Sequence, residues 1–251
     1  MSIQRGKVFT ITSVKGGTGK STTLLNLAGI FASLGKKTLL IDLDLFAGAI
    51  AASLNVDNST DVYRLTDDIS NNRFTNLESY IVKYNEFIDV IPSNKDPRNA
   101  HKINSNCINV LISKAKLKYD VILIDTNNTM SSANLVAFDN SDKILYVITN
   151  NPIDLKSMRT MTAIFRDMEK TNYEIILNEA REIQKECFST KDIINIINHD
   201  INYVIPNSFY IKNIDNYLMN GEILTLNKKV RANNKKTIKM FETLAEELIK
   251  E

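Results

Sequence analysis

Lys15-Gly16-Gly17-Thr18-Gly19-Lys20-Ser21 is the stretch that decides the fold. A β-type run, Lys7 to Val14, leads into it, and a helix-patterned run, Thr22 to Leu34, leads out. Strand, glycine-rich turn and helix in that order make a phosphate-binding loop. The glycines let the backbone curl with its N–H groups inward, and the helix N-terminus adds partial positive charge. Lys20 is placed to reach the β- and γ-phosphates of a nucleotide, and the Ser21 hydroxyl to ligate Mg²⁺. Gly16, Gly17, Thr18, Gly19 and Thr22 complete the cradle. Lys15 adds a second lysine at the loop entrance; by position alone it reads as a solvated residue after a strand.

Outward from this loop, short β-rich apolar runs alternate with helical patterns. The clearest strands are Val8 to Ser13, Thr38 to Asp42, Phe87 to Ile91, Val121 to Asp125, Ile144 to Thr149, Tyr173 to Leu177 and Tyr203 to Ile205. Several are continuous hydrophobics, as expected of strands covered on both faces. Helical patterns cover Thr22 to Leu34, Ile108 to Leu117, Leu155 to Met168, Thr190 to Asn198 and Lys235 to Ile249. The alternation predicts an α/β fold: a doubly wound, mostly parallel sheet with helices on both faces. Thr60 to Asn85 is polar and patchily helical, and reads as a short helix pair or a mobile surface segment. With no repeat, low-complexity tract or linker in view, residues 1–251 read as one domain.

Ligands of doubly wound sheets bind beyond the carboxyl ends of the strands. Acidic residues stand there. Leu39-Leu40-Ile41-Asp42-Leu43-Asp44 ends one strand with two aspartates, and Val121-Ile122-Leu123-Ile124-Asp125 ends another. An aspartate after a hydrophobic strand can hold the Mg²⁺ shell through water, which assigns that role to Asp125. Asp44, one step into the next loop, is placed to position an attacking water, and Asp42 to orient Mg²⁺-bound water or the loop. Plainer readings exist: Asp125 as a strand-end cap, Asp44 as a helix N-cap.

The bulk properties exclude several classes. The chain has 251 residues and a formal net charge of +2, so any nucleic-acid affinity must come from a local patch. Cys107 and Cys187 are isolated, without metal or redox spacing, and read as buried thiols. His101 and His199 lack ligand spacing as well. Without a signal-peptide pattern or a bilayer-length apolar run, the sequence predicts a cytosolic protein. Lys228, Lys229, Arg231, Lys235, Lys236 and Lys239 form a basic region that reads either as a DNA-phosphate surface or as a solvated flank balanced by Glu242, Glu246, Glu247 and Glu251. Ile238, Phe241, Leu244, Ala245 and Leu248 form a core-facing stripe on the last helix rather than a membrane anchor. Met158, Met161 and Met168 read as core filler.

Lys15 to Ser21 match the deviant phosphate-loop pattern Lys-Gly-Gly-x-Gly-Lys-Ser/Thr, with Val14 where the strict Walker pattern has glycine. In this the chain resembles the MinD/ParA family of deviant Walker-A ATPases, within the SIMIBI class, over nearly its whole length. The resemblance implies ATP and Mg²⁺ as cofactors and a homodimer with the nucleotides sandwiched between subunits. It implies that Lys15 reaches the partner's phosphates, that Asp44 is the hydrolytic aspartate and that Asp125 is the Walker-B aspartate. It places adenine contacts at Asn178, Pro206 and Asn207. Asp42 to Gly48, Val90 to Pro97 and Thr149 to Leu155 resemble more finely the TadZ/CpaE branch, which positions tight-adherence pilus machinery at a cell pole. Departures stand in the switches: Phe46, Ala47 and Ala49 replace polar residues, and Asn127 replaces a proline.

The resemblance therefore implies an ATP-dependent spatial switch with slow, partner-stimulated hydrolysis, placing a pilus assembly. The alternatives are a ParA-like partition ATPase that binds DNA non-specifically and a nucleotide-binding scaffold with little hydrolysis. An iron–sulfur ATPase is disfavoured because Cys107 and Cys187 are not where a bridging cluster needs them. A bacterial tyrosine kinase is disfavoured because no tyrosine follows Tyr217. Membrane or polar placement would come only through partners.

Overall fold

The computed structural model describes residues 5–179, 188–209 and 214–250. Its eight strands form one sheet in the order β3-β4-β2-β5-β1-β6-β7-β8. They are β1 (Lys7–Thr12), β2 (Thr38–Leu43), β3 (Val82–Lys83), β4 (Ile88–Ile91), β5 (Val121–Thr126), β6 (Lys143–Ile148), β7 (Tyr173–Asn178) and β8 (Tyr203–Ile205). All neighbours are parallel except the β3–β4 pair, which is antiparallel. The mixed, mostly parallel sheet expected from the sequence is what forms.

The helices are α1 (Lys20–Ser33), α2 (Ile50–Ser53), α3 (Val62–Ser70), α4 (Ser105–Ala115), α5 (Ser132–Asn140), α6 (Pro152–Asp167), α7 (Thr190–Ile197), α8 (Ile214–Met219), α9 (Lys228–Asn233) and α10 (Lys235–Lys250). The sequence reading omitted α5, whose two turns are too short to show a clear period. Within Thr60 to Asn85, α3 forms behind an Asp61 N-cap, whose carboxylate accepts from the Arg64 N–H at 2.8 Å. The same segment ends in the β3 edge strand, not in a second α-helix.

Alternate strand residues serve opposite layers, as the period of two requires. Phe9, Ile11, Leu40, Leu123, Leu145, Val147 and Ile176 pack with α1 and α10. Val8, Leu39, Ile41, Ile122 and Ile124 pack with α3, α4 and α5. Ile144, Tyr146, Ile148, Ile175 and Leu177 pack with α6 and α7. Helix α1 lies so close to the 224–226 turn that a Cβ on Gly29 would stand 2.3 Å from Thr225 Oγ1. That contact lets the Thr225 hydroxyl donate to the Asn26 carbonyl at 2.7 Å.

The α10 stripe of Ile238, Phe241, Leu244, Ala245 and Leu248 is buried, as its spacing implied. Met158 and Met161 are buried too, but Met168 is 67% exposed: it lies just past the α6 C-terminus, where no layer covers it. Cys107 is buried with Sγ 3.2 Å from Ser70 Oγ; Cys187 lies outside the described residues. Among the described residues no helix is long and apolar enough to cross a membrane.

Phe241 is fully buried and packs its ring 6.1 Å from Phe209. Phe241→Ala should cost ~3–5 kcal/mol. A thermal melt should show this as a midpoint roughly 10 °C lower.

Candidate functional site

The phosphate loop leaves β1, the strand between β5 and β6, and enters α1. Gly17 and Gly19 adopt φ of +79° and +93°. At Gly19 a side chain is doubly excluded, because a Cβ there would meet Asn178 Nδ2 at 2.4 Å. Gly16 has no neighbour against a Cβ within 4 Å, so the loop is open above it. Thr18 Oγ1 is buried with no hydrogen-bond partner. At the entrance the Ser13 hydroxyl donates to the Lys15 carbonyl at 2.5 Å. Lys15 is half-buried, Lys20 buried and Thr22 exposed. Helix α1 has no side-chain cap and no acidic residue in its first turn. Its N-terminal N–H groups and Lys20 thus form an anion cradle without a competing carboxylate cap.

Asp42 and Asp125 are direct partners across β2 and β5, and each is 1% exposed. The Ser21 hydroxyl donates to Asp125 Oδ2 at 2.5 Å, while Asp125 Oδ1 is buried without a partner. Burial pushes Asp125 up to about 6, against the pull of the Ser21 hydrogen bond and the Lys20 charge. Burial first, and then the Asp125 charge, push Asp42 well above the usual carboxylate range. A cation beside Ser21 and Asp125 would relieve both effects. The set of a hydroxyl, carboxylates and room for water suits Mg²⁺, which keeps several waters and borrows phosphate oxygens. Among the described residues no three His, Cys, Asp or Glu side chains converge as a metal cage, so the protein alone does not build a closed site. Ser21 and Asp125 are therefore the residues fit to hold the ion, and it would supply charge neutralisation at the phosphates.

Both Asp42 oxygens accept from backbone: Oδ1 from the Asp44 N–H and Oδ2 from the Ile50 N–H, each at 3.1 Å. Asp42 thus grips the loop from 44 to 50. Asp44 is half-buried and caps no helix; α2 starts at Ile50, and the Asp44 carboxylate accepts from the Ala47 N–H at 3.2 Å. Its main chain is held by the Ser93 hydroxyl, which donates to the Asp44 carbonyl at 2.8 Å. The loop after β5 is organised by Asn127. Asn127 Oδ1 accepts from Thr129 N–H at 3.0 Å, from the Thr129 hydroxyl at 2.7 Å and from Asn134 Nδ2 at 2.8 Å.

Asn178 donates through Nδ2 to the Thr18 carbonyl at 2.8 Å, tying the end of β7 to the phosphate loop. Pro206 is half-buried and Asn207 exposed, in the turn after β8. A residue the sequence reading missed is Asp154, fully buried in the first turn of α6. Its Oδ2 accepts from the Thr149 N–H at 2.6 Å and from the Thr149 hydroxyl at 2.9 Å; its Oδ1 is buried and unpartnered. Burial raises its pKa, and the Lys15 and Lys20 charges act on it in the opposite sense. An acidic residue two places after a proline in an Asn-Pro helix start reads as an ordinary first-turn residue, so the sequence held no sharper signal.

The basic region divides. Lys228, Lys229, Lys235, Lys236 and Lys239 are exposed on α9 and the start of α10. Arg231 is engaged, donating to Glu242 at 2.8 Å and to the Thr225 carbonyl at 2.9 Å. His101 packs on Phe46, and His199 on Tyr173.

The family model described as "AAA domain" matches residues 6–183. The chain belongs to that family, and it is a P-loop ATPase of the MinD/ParA type. The septum site-determining protein MinD of Bacillus subtilis is 25% identical over 236 residues, 90% of this chain and 85% of the relative. The tyrosine-protein kinase YwqD of the same species is 33% identical, over 57% of this chain and 60% of its own length. The fold matches a ParA family ATPase from Chlorobium tepidum at a TM-score of 0.79, with 22% identity and 96% and 98% of the two chains covered. It matches MinD with Mg-ADP from Pyrococcus horikoshii at 0.76, with 22% identity and 97% and 96% covered. It matches a plasmid partition protein from Borrelia burgdorferi at 0.65, with 23% identity and 85% and 96% covered. These relatives support the broad family reading and do not single out the TadZ/CpaE branch.

Asp125 binds its proton more tightly in the folded state, where its pKa is about 6, than in the unfolded chain, where an aspartate titrates near 4. Its contribution to stability is therefore lost as pH rises from about 4 to about 6. Asp125→Asn should remove that loss and stabilise the nucleotide-free protein above pH 6 by on the order of 2 kcal/mol. Melts of both proteins between pH 4.5 and 7.5 measure the difference, and Mg²⁺ added together with a nucleotide should raise the wild-type midpoint more than the variant's.

Proposed function

We propose that the chain is an ATP-dependent positioning switch of the partition type. ATP and Mg²⁺ bring two copies face to face, and hydrolysis lets them part. The observation that supports this reading is a set of large apolar side chains exposed at the carboxyl edge of the sheet, the edge from which the phosphate loop leaves β1. The loops after β2 and β5 and the first turn of α6 each expose one large apolar side chain: Phe46 at 50%, Met130 at 51% and Ile153 at 66%. All three belong to the carboxyl edge of the sheet, where the loop opens. Exposed apolar side chains beside an anion cradle fit a second copy better than they fit solvent.

In this reading Lys20 holds the β- and γ-phosphates, Ser21 and Asp125 hold Mg²⁺, and Asp42 fixes the first switch. Lys15 offsets charge on the partner's phosphates, and Asp154 keeps that lysine in place until the partner arrives. Asp44 orients the attacking water. Asn178, Pro206 and Asn207 border the adenine, with Asn178 also steadying the loop. Differential contacts to the γ-phosphate must supply the switching free energy.

The partition reading is favoured over pilus positioning because plasmid partition and MinD proteins are what the chain resembles along most of its length. Exposed Lys228, Lys229, Lys235 and Lys236 would then neutralise DNA phosphates without reading sequence. Arg231 would contribute mainly by holding α9 against α10.

Light scattering after size exclusion tests the switch. Wild type should be a dimer with ATP and a monomer with ADP. Lys15→Ala should bind ATP yet remain monomeric, and Asp44→Ala should dimerise but lose at least about 100-fold in turnover. A Lys15→Ala protein that pairs and turns over normally would refute the sandwich. DNA affinity that requires ATP, falls steeply with salt and disappears when the four exposed lysines are replaced supports partition; an ATP dimer indifferent to DNA supports the pilus reading.

A further inference from the structure

Asp44 is held at three atoms, and the holds differ in kind. Its N–H donates to Asp42 Oδ1 at 3.1 Å, and its Oδ1 accepts from the Ala47 N–H at 3.2 Å. Both partners lie within three residues of Asp44, so these bonds shape the turn but fix it only through its own stem. The third bond comes from elsewhere. The Ser93 hydroxyl donates to the Asp44 carbonyl at 2.8 Å, the shortest of the three, across 49 positions of sequence. It ties the turn to the neighbouring strand.

The sheet puts Ser93 where it can do this. Strand β4 lies beside β2 in parallel register, with Ile91 opposite Ile41, so the chain leaves both strands side by side. Ser93 is buried, and its hydroxyl faces two acceptors. Asn94 Oδ1 stands 3.5 Å away, too far to compete with the Asp44 carbonyl. The other end of the turn closes on the same residue. A Cβ on Gly48 would stand 2.2 Å from Ser93 Cβ, 2.8 Å from Ser93 Oγ and 2.9 Å from Asp42 Oδ2. Gly48 is not among the glycines with positive φ, so space rather than backbone freedom calls for glycine there. Residues 44 to 48 thus bend round Ser93 as round a peg, with a hydrogen bond at one end and bare contact at the other.

We propose that Ser93 is a positioning residue for ATP hydrolysis, acting through Asp44: its hydroxyl, with the close passage of Gly48, holds the aspartate in its working place. This role rests on the proposed function, in which Asp44 orients the attacking water. A turn held only by its own stem samples several positions, and a misplacement of about 1 Å can cost on the order of 100-fold in rate. The Ser93 hydroxyl bonds to Asp44 and faces Asn94, not the phosphate loop. Its loss therefore falls on the chemical step and not on nucleotide binding, which separates kcat from KM.

Steady-state turnover of ATP with Mg²⁺ by the full chain, read as kcat and KM separately, tests this. Ser93→Ala should lower kcat about tenfold and leave KM and ATP-dependent pairing within about twofold of wild type. Gly48→Ala, which pushes the turn off Ser93, should give the same split. Ser189→Ala removes a comparable hydroxyl, the N-cap of α7, and should leave kcat unchanged. Melting midpoints of Ser93→Ala and Ser189→Ala should both stay within about 5 °C of wild type, as the loss of one hydrogen bond implies. In an Asp44→Ala background, adding Ser93→Ala should slow the residual turnover no further, because the two residues act as one unit. Asp44→Ala with wild-type turnover overturns the role of Asp44 and that of Ser93 together. Asp44→Ala inactive beside Ser93→Ala at wild-type kcat overturns the role of Ser93 alone. So does a further loss in the double variant, a change confined to KM or pairing, or an equal loss in Ser189→Ala.

Discussion

Two buried carboxylates side by side set the terms for the rest of the molecule. Asp42 and Asp125 are register partners at the ends of β2 and β5, and burial makes each resist its own charge. A soluble protein tolerates such a pair only where something offsets it. Backbone N–H groups do so for Asp42, and the Ser21 hydroxyl does so in part for Asp125. The remainder, the unpartnered Oδ1 of Asp125, asks for a cation. The cation in turn asks for phosphate, because the protein supplies too few ligands alone. The site is thus poised to be completed by Mg²⁺ and nucleotide together.

The switch loops are built from the same currency, single side chains holding main chain. Asp42 holds both ends of the loop after β2, at residues 44 and 50, and Ser93 holds Asp44 from the neighbouring strand's loop. Asn127 does this for the loop after β5 through Thr129 and Asn134. Such bonds are worth about 1 kcal/mol each. A γ-phosphate and its metal can therefore rearrange them without disturbing the sheet, whose buried strands are far costlier to move. Where the family places a proline, Asn127 offers a hydrogen-bond hub, so this loop is held by contacts that can be exchanged rather than by a fixed φ.

Much of the fold and the phosphate site was legible because both depend on local pattern. Continuous apolar runs predicted the parallel strands, and the glycine spacing marked the loop in which Gly19 adopts a positive φ. What stayed hidden depends on contacts distant in sequence. Asp154 reveals its environment only when α6 buries it within reach of the Lys15 and Lys20 charges. Asn178 shows its hold on Thr18 only when β7 lies beside the loop, 160 residues away in sequence. Helix α5 lacks a visible period, and it is anchored in part by an Asn134–Asn127 bond that no periodicity encodes. The basic region read either as a DNA surface or as a flank balanced by glutamates, and which residues pair is set by packing: Glu242 and the Thr225 carbonyl engage Arg231 and leave the neighbouring lysines exposed.

Arg231 also shows how the basic surface is joined to the nucleotide site. It donates to the Thr225 carbonyl, and the Thr225 hydroxyl donates to the Asn26 carbonyl on α1, the helix that opens at Lys20. Gly29 permits the close approach that makes the second bond possible. Both bonds join main chain to side chain and leave little slack: Thr225 is fully buried and Asn26 nearly so. A rigid-body shift of α1 toward bound phosphate must carry the 224–226 turn with it, and α9 hangs from that turn. The lysines of α9 and of α10 are thus both attached to the helix that opens at the phosphate loop: α9 through the 224–226 turn, and α10 by packing on α1 and by the Arg231–Glu242 pair that ties it to α9.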